Sequence, residues 1–552
     1  MIQHDKSAVY AALTAMIALA AMAGAAWYSM GFNVAQVQWW KWLAEYAWTM
    51  RALPPQLVYI VNIGALGWVT VTALVVVLNP LRFSRADYGG ASFATSSMFA
   101  KMGLTASSGI VLGQAGRKLL IYKKPLSALV LAPPGAGKTT GVVIPTLLSF
   151  TGSVVINDPK GEVYEATAGW RSRLGPVHRI EWNKGAKSTC WNPLSWASLP
   201  ADPSDMEIAV DRLTAIFVQA DKAKGADFWV KSAREALSGI VLFHLYEARR
   251  NGKEATFADV LSWMAVAGDV DEDDDANDPI GMHYKRAAGA AKIEGYPRRV
   301  IDSLNSIANQ NFRSRSDVLK TAEMGLAVFR NSYVAEATSR SDFDLNALRS
   351  SKKPVSVYVV VPPENADVFG PITGALIELA GLMSVSAKGR PILFMLDEVP
   401  ELPALDIVKR GPAIGRGQDV RFVIIAQDVG QLVQRYDKTG FDTIMTTTSY
   451  KVVLTQNHPD TQRQISEMIG NITREKSSKS RQVSMKLSAS GSISRSLEGV
   501  PLVRPEELGS MRDGDQLVLA QQFMRHPIKS KTAFYFKHGV FKRRAKIPPP
   551  KL

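Results

Sequence analysis

The chain has 552 residues, with 65 Lys+Arg against 50 Asp+Glu and a formal net charge of +15. With 46% hydrophobic and 21% charged residues it can bury a large core, which excludes wholesale disorder, and its length suits three or four units of ~150 residues. Cys190 is the only cysteine, which excludes an internal disulfide, a cysteine zinc cage and an iron–sulfur cluster within one chain.

Two stretches near the start carry no charge: 8–28 (AVYAALTAMIALAAMAGAAWY) and 52–81, centred on QLVYIVNIGALGWVTVTALVVVL. About 20 apolar residues cross a bilayer as a helix, because lipid offers the backbone no other partner. Trp27, Tyr28, Trp39, Trp40, Trp42, Trp48 and Tyr59 sit at the ends of these spans or between them, as an interfacial belt requires. A cleaved signal peptide is the rival reading of the first stretch, and a buried core helix of the second. Lys6, Arg82, Arg85 and Lys101 flank the pair, against Lys41 and Arg51 with Glu45 between the spans. That bias places both chain ends inside, so the remaining ~470 residues work in the cytosol.

From residue 126 β-rich runs alternate with amphipathic helical stretches. LSALVLA (126–132), SVVIND (153–158) and VHRIEW (177–182) read as strands, with KTTGVVIPTLLSF as the helix after the first. Residues 202–350 are mostly helical by period. Strands resume at PVSVYVVV (354–361), PILFMLD (391–397), VRFVIIA (420–426), YKVVLT (450–455) and QLVLAQ (516–521). This alternation predicts a mostly parallel sheet covered on both faces, with the helical block inserted into it. The acidic run at 269–281 reads as a solvated loop. The Ser- and base-rich segment 474–499 reads as a mobile loop, and the acid-free tail ending KHGVFKRRAKIPPPKL as unpacked and free to meet an anion.

The strongest motif is APPGAGKTT (132–140), between a strand and a helix. It matches GxxxxGK[ST] except that Ala132 stands where the first glycine belongs. Pro134, Gly135, Ala136, Gly137, Lys138, Thr139 and Thr140 form the cradle. Gly135 and Gly137 let backbone N–H groups turn inward, and the helix N-terminus adds partial positive charge. Lys138 reaches β and γ phosphates, and Thr139 is a ligand for Mg²⁺. An alanine forced to positive φ at 132 would cost about 1 kcal/mol. Asp397 and Glu398 end the strand in PILFMLDEVPEL. Asp397 would hold a water on the metal, and Glu398 would act as general base toward the attacking water. Gln427 ends the strand VRFVIIA, where it would sense the γ-phosphate or orient water; a plain strand cap is the alternative. Arg416 is the candidate to complete a neighbouring subunit's site, with Arg421 and Arg410 as rivals.

With NDPKGE (157–162), WNPLSW (191–196), MLDEVPELP (395–403), GRGQDVRFVIIAQDVGQL (415–432) and TQNHPDTQRQISEMIG (455–470), the sequence resembles the TraG-like type IV coupling proteins of bacterial secretion and conjugation. The likeness covers essentially the whole chain. Departures are Ala132 and the VPEL that stands where the family often has a phenylalanine and a glycine. The resemblance implies an α/β fold: a RecA-like P-loop nucleotide-binding domain, an inserted all-α domain and two N-terminal transmembrane helices. The expected division is 1–82 membrane anchor, 83–195 and 351–530 nucleotide-binding domain, 196–350 all-α insertion and 531–552 basic tail. It also implies ATP and Mg²⁺ as cofactors, a homo-oligomeric ring (a hexamer) at the inner membrane, and contact with the secretion system's inner-membrane components. The cargo is single-stranded DNA with its relaxase, or an effector protein. Other readings are a receptor that uses ATP only for assembly, and a septal-type DNA translocase.

Overall fold

The computed structural model describes residues 88–551 apart from 220–226, 266–277, 387 and 482–490, together with Met16, Asn62, Leu66 and Gly67. The two N-terminal spans and most of the acidic run therefore lie outside the described residues. The chain divides into two units, 1–89 with 473–498, and 90–472 with 499–552.

Thirteen strands are described: β1 (Ile110–Ala115), β2 (Lys118–Tyr122), β3 (Ala128–Leu131), β4 (Ser153–Asp158), β5 (Val177–Ile180), β6 (Ser356–Val360), β7 (Ile392–Leu396), β8 (Val420–Ala426), β9 (Tyr450–Val453), β10 (Asn471–Arg481), β11 (Gly491–Pro501), β12 (Asp515–Ala520) and β13 (Ile528–Lys531). Eleven of them build one sheet in the order β2-β1-β13-β12-β9-β3-β8-β7-β4-β6-β5. The seven from β9 to β5 run parallel. The other four continue the sheet antiparallel. In β3, β4, β6, β7, β8 and β9 every residue is buried. That is why these strands read as unbroken apolar runs: helices cover both faces. β3 lies between β8 and β9, which come far later in the chain. A reversal of strand order of this kind opens a crevice at the C-terminal edge, where ligands of open α/β sheets bind.

Between β5 and β6 every long element is helical: Pro203–Phe217, Asp227–Arg250, Phe257–Ala265, Pro279–Ile293, Arg298–Ala308 and Phe312–Gly325. Phe217, Phe257 and Phe329 form the aromatic heart of this block, with ring centroids 4.9–5.4 Å apart. Asp278, at the end of the acidic run, caps the helix Pro279–Ile293 through Gly281 N–H at 2.8 Å and pairs with the buried Arg315. Arg212 joins the block to the helix Ala366–Ser386 by a 2.7 Å ion pair with the buried Glu378, which also accepts from Ile407 N–H at 2.9 Å. Among the described residues, one helical run, Pro363–Ser386, is long and apolar enough to cross a bilayer, and 72% of its most apolar window is buried inside the fold. It is a core helix.

Two expectations are corrected. The basic segment 474–499 was expected as one loop, but its ends are β10 and β11, paired as a two-stranded sheet. The C-terminal segment was expected to stay unpacked. After β13 it instead folds over the helices that follow β3 and β4. Phe541 of the helix Gly539–Ala545 is 5% exposed, Arg544 lies 4.1 Å over the Trp170 ring, and the Ile547 carbonyl closes on Gly169. Its basic side chains cap carbonyls and stack on aromatic rings, so their charge does not prevent packing.

Candidate nucleotide site

The phosphate loop grows directly out of β3. Ala132 N–H still bonds to the Ala426 carbonyl at 3.0 Å, continuing the ladder with β8. Among the described residues the non-glycine positions at positive φ are Glu398, Asp419 and Asp437, so Ala132 is not one of them. The strain expected for alanine there is absent, because the loop turns later. It turns at Gly135 (φ 79°) and Gly137 (φ 85°), where a side chain would be strained. Pro134 and Gly135 are exposed, Ala136, Gly137, Thr139 and Thr140 half-buried, and Lys138 buried. The following helix opens as a wider turn over Thr139–Val143 before becoming α-helical at Ile144–Ser149.

Register brings the acids to this loop. Leu131 of β3 pairs with Ala426 of β8, and Leu396 of β7 with Ile424. The chain therefore leaves all three strands at one edge, with β8 between the loop and the carboxylates. Lys138 Nζ contacts Glu398 Oε1 and lies 3.6 Å from Asp397 Oδ1. Thr139 Oγ1 donates to Asp397 Oδ2 at 3.3 Å. Burial raises the Asp397 carboxyl above its usual range, opposed by Lys138 and reinforced by Glu398. Glu398 itself sits at φ 57°, ψ 53°, a left-handed conformation rare for a residue with a long side chain.

The donor set fits a hard dication. Asp397 Oδ1 is buried with no hydrogen-bond partner, and the Thr139 hydroxyl is beside the other carboxylate oxygen. Two protein oxygens are what Mg²⁺ takes when phosphates and waters complete its octahedron. No group of three or more His, Cys, Asp or Glu positioned for a metal occurs among the described residues.

Gln427 follows Ala426 at the same edge and is half-buried. Arg416 is not brought to this site. It is exposed in the turn Gly415–Gln418, ahead of β8 and hence at the opposite edge, about 20 Å away by strand length. Arg421 is buried and tied down, donating to the Lys123 carbonyl at 2.8 Å and pairing with Asp419 at 2.8 Å. Arg410 is exposed on the helix Asp406–Ile414.

A family description, Type IV secretory system Conjugative DNA transfer, matches residues 95–550. The chain belongs to this family of coupling proteins. It is 31% identical over 465 residues to the conjugal transfer protein TraG of Escherichia coli, covering 78% of the chain and 70% of that relative. It is 29% identical over 427 residues to protein VirD4 of Rhizobium radiobacter, covering 75% and 58%. Among solved structures, the plasmid coupling protein TrwB in complex with a non-hydrolysable ATP analogue superposes with a TM-score of 0.57 at 16% identity, covering 81% of this chain and 96% of that one. TrwB in complex with ADP and Mg²⁺ matches equally. This likeness gives the RecA-like P-loop fold of the coupling proteins.

Two further residues of this family member were not assigned roles from the sequence. Asn157 Nδ2 donates to the Asp397 carbonyl at 2.6 Å, fixing the turn that aims both acids. Asp158 accepts from Tyr164 N–H at 2.8 Å, while its other oxygen is buried without a partner. Burial is the main cause that pushes its carboxyl up to about 6, with the Asp397 charge adding to it. The signal was present in NDPKGE, a polar run directly at the end of a β-strand.

Proposed function

We propose that the protein is a Mg²⁺-dependent ATPase that couples cargo to a type IV secretion channel. The observation that carries this reading is the meeting of Lys138, Thr139, Asp397 and Glu398 at one sheet edge, beside two glycines at positive φ. The family supports the cargo role, and the ATP analogue and ADP·Mg²⁺ complexes of TrwB support the nucleotide.

In this mechanism the backbone N–H groups from Pro134 to Thr140 cradle the phosphates, and Lys138 leaves its carboxylate partners to neutralise the β and γ oxygens. Thr139 and Asp397 would hold Mg²⁺, which supplies charge compensation on the phosphates when bound. Freed from Lys138, Glu398 takes a proton from the attacking water. Gln427 orients that water. Arg416, too far from its own loop, reaches the loop of the next subunit in a ring of six. The first 82 residues anchor the ring in the inner membrane, with the bulk of each chain cytoplasmic. The helical block contacts the cargo, which is single-stranded DNA with its relaxase or an effector protein.

The test is steady-state Mg²⁺-ATPase activity and nucleotide affinity of Lys138→Ala and Glu398→Gln. Loss of a general base costs about 10²–10⁴ in rate. Glu398→Gln is expected to lose that factor while still binding ATP, and Lys138→Ala to lose binding as well. Parental activity in both variants rejects the assignment.

A further inference from the structure

The phosphate loop has a second neighbour that the chemistry of phosphate binding does not require. β12 runs antiparallel to β9, and β13 antiparallel to β12. β13 therefore runs in the direction of β3 and delivers its chain to the same edge. The segment that follows passes the loop on the side away from β7. Phe534 is wedged there: a Cβ on Gly137 would lie 2.8 Å from its Cε1, and one on Gly514 3.4 Å from its Cε2. Thr532 N–H bonds to the Gly514 carbonyl at 2.8 Å and fixes the approach. Phe536 stacks on Phe534 with centroids 5.4 Å apart and planes 20° from parallel, and Lys537 Nζ is 5.0 Å from the Phe534 centroid. Phe536 is 46% exposed. A stacked phenylalanine pair, half open to solvent beside a loop built for anions, is not explained by core packing.

The two sides of the loop differ in what they offer. Toward β7 stand the carboxylates and Gln427, which suit the terminal phosphate. Toward β13 stand two aromatic rings and an ammonium. A triphosphate laid along the loop with its terminal phosphate at Glu398 carries its other end toward β13.

We propose that Phe536, backed by Phe534 with Lys537 over the Phe534 ring, forms an aromatic ledge that receives the base of the nucleotide whose phosphates the loop holds. This rests on the nucleotide reading above and adds to it the part of the ligand that distinguishes a nucleoside triphosphate from bare phosphate. Aromatic stacking tolerates any base, so the ledge favours purines by area without selecting adenine over guanine.

The test measures binding of ATP, GTP and inorganic tripolyphosphate, each with Mg²⁺, to the purified full-length chain and to Phe536→Ala, Phe536→Tyr and Phe534→Leu. Phe536 is half exposed, and Phe534 is the ring wedged against Gly137, so truncating Phe536 is expected to leave the fold intact. Loss of one stacked face weakens binding about tenfold. Phe536→Ala is expected to weaken ATP and GTP by that factor and to leave tripolyphosphate unchanged, while Phe536→Tyr restores parental affinity. Phe534→Leu is expected to weaken the nucleotides more than tripolyphosphate. Equal weakening of all three ligands by Phe536→Ala means that the segment only shapes the loop, and it overturns the ledge; so does parental affinity for all three. If the parent itself binds none of the three, the nucleotide reading fails and the ledge falls with it.

Discussion

Glu398 holds its left-handed backbone because three groups fix it: the Asn157 amide on the preceding carbonyl, Lys138 on its carboxylate, and the turn into Val399–Glu401. Strain of this kind costs on the order of 1–3 kcal/mol and concentrates where a side chain must be aimed. Asp158 is the other residue under tension. Its folded pKa of about 6 lies above the usual carboxylate value of 3.8. The folded state therefore binds the proton more tightly than the unfolded one between these limits, and stability falls as pH rises from 4 to 6. Each pH unit of this window is worth about 1.4 kcal/mol for one proton. Asp158→Asn keeps an acceptor for Tyr164 N–H and removes the titration. Its melting temperature should exceed the parent's at pH 7.5 and equal it near pH 4, read as the difference between the two proteins by thermal unfolding. Identical profiles refute the assignment. The phosphate loop and the Asp-Glu pair were legible from sequence because their chemistry is local in the chain. Asp158 stands in the polar run NDPKGE, but its raised pKa was not legible there, because burial in the fold and the Asp397 charge, distant in sequence, produce it.

At the level of elements, a buried arginine ties helix to sheet. Arg171, fully buried in the helix Glu162–Ser172, donates to the carbonyls of Phe150 and Gly152 at 2.6 Å each and to Ser356 Oγ at 2.9 Å. Burial lowers its pKa to about 10. Arg171→Leu removes these bonds and leaves two buried carbonyls unpaired, and we expect a loss of about 3 kcal/mol in denaturant unfolding, with Arg171→Lys in between. A variant as stable as the parent refutes the clamp. β4 and β8 fall on the residues expected from sequence, because strands buried on both faces write continuous apolar runs. β13 went unread for the opposite reason: Ile528 and Ser530 face in while Lys529 and Lys531 face out, and four residues of that pattern look like loop. The packed tail was missed because its anchors are distant: Arg544 also reaches the Leu148 carbonyl. Nothing in KHGVFKRRAKIPPPKL announces them.

For the whole molecule, the separation of Arg416 from its own phosphate loop sets the test of assembly. On the proposed ring, Arg416→Ala alone should be slow in hydrolysis, and Lys138→Ala alone inactive. When the two are mixed, some interfaces pair an intact loop from the first with an intact arginine from the second. Activity should then reappear at a level set by the mixing ratio. Mixtures no more active than the average of their components reject an arginine acting between subunits. Arg421, already engaged with Lys123, Lys124 and Asp419, should affect folding before turnover.

The ion pairing of Lys138 with Glu398 and Asp397 has a consequence for discrimination. A basic protein among polyanions carries a cleft whose lysine already has internal counter-charges. Stray phosphate, sulfate or a nucleic-acid backbone must displace both acids to gain one contact. A guest that brings three linked phosphates and its own dication replaces everything it breaks. On the proposed nucleotide reading, the two acids beside Lys138 make the cleft sort its visitors by valence before any recognition of the rest of the molecule begins.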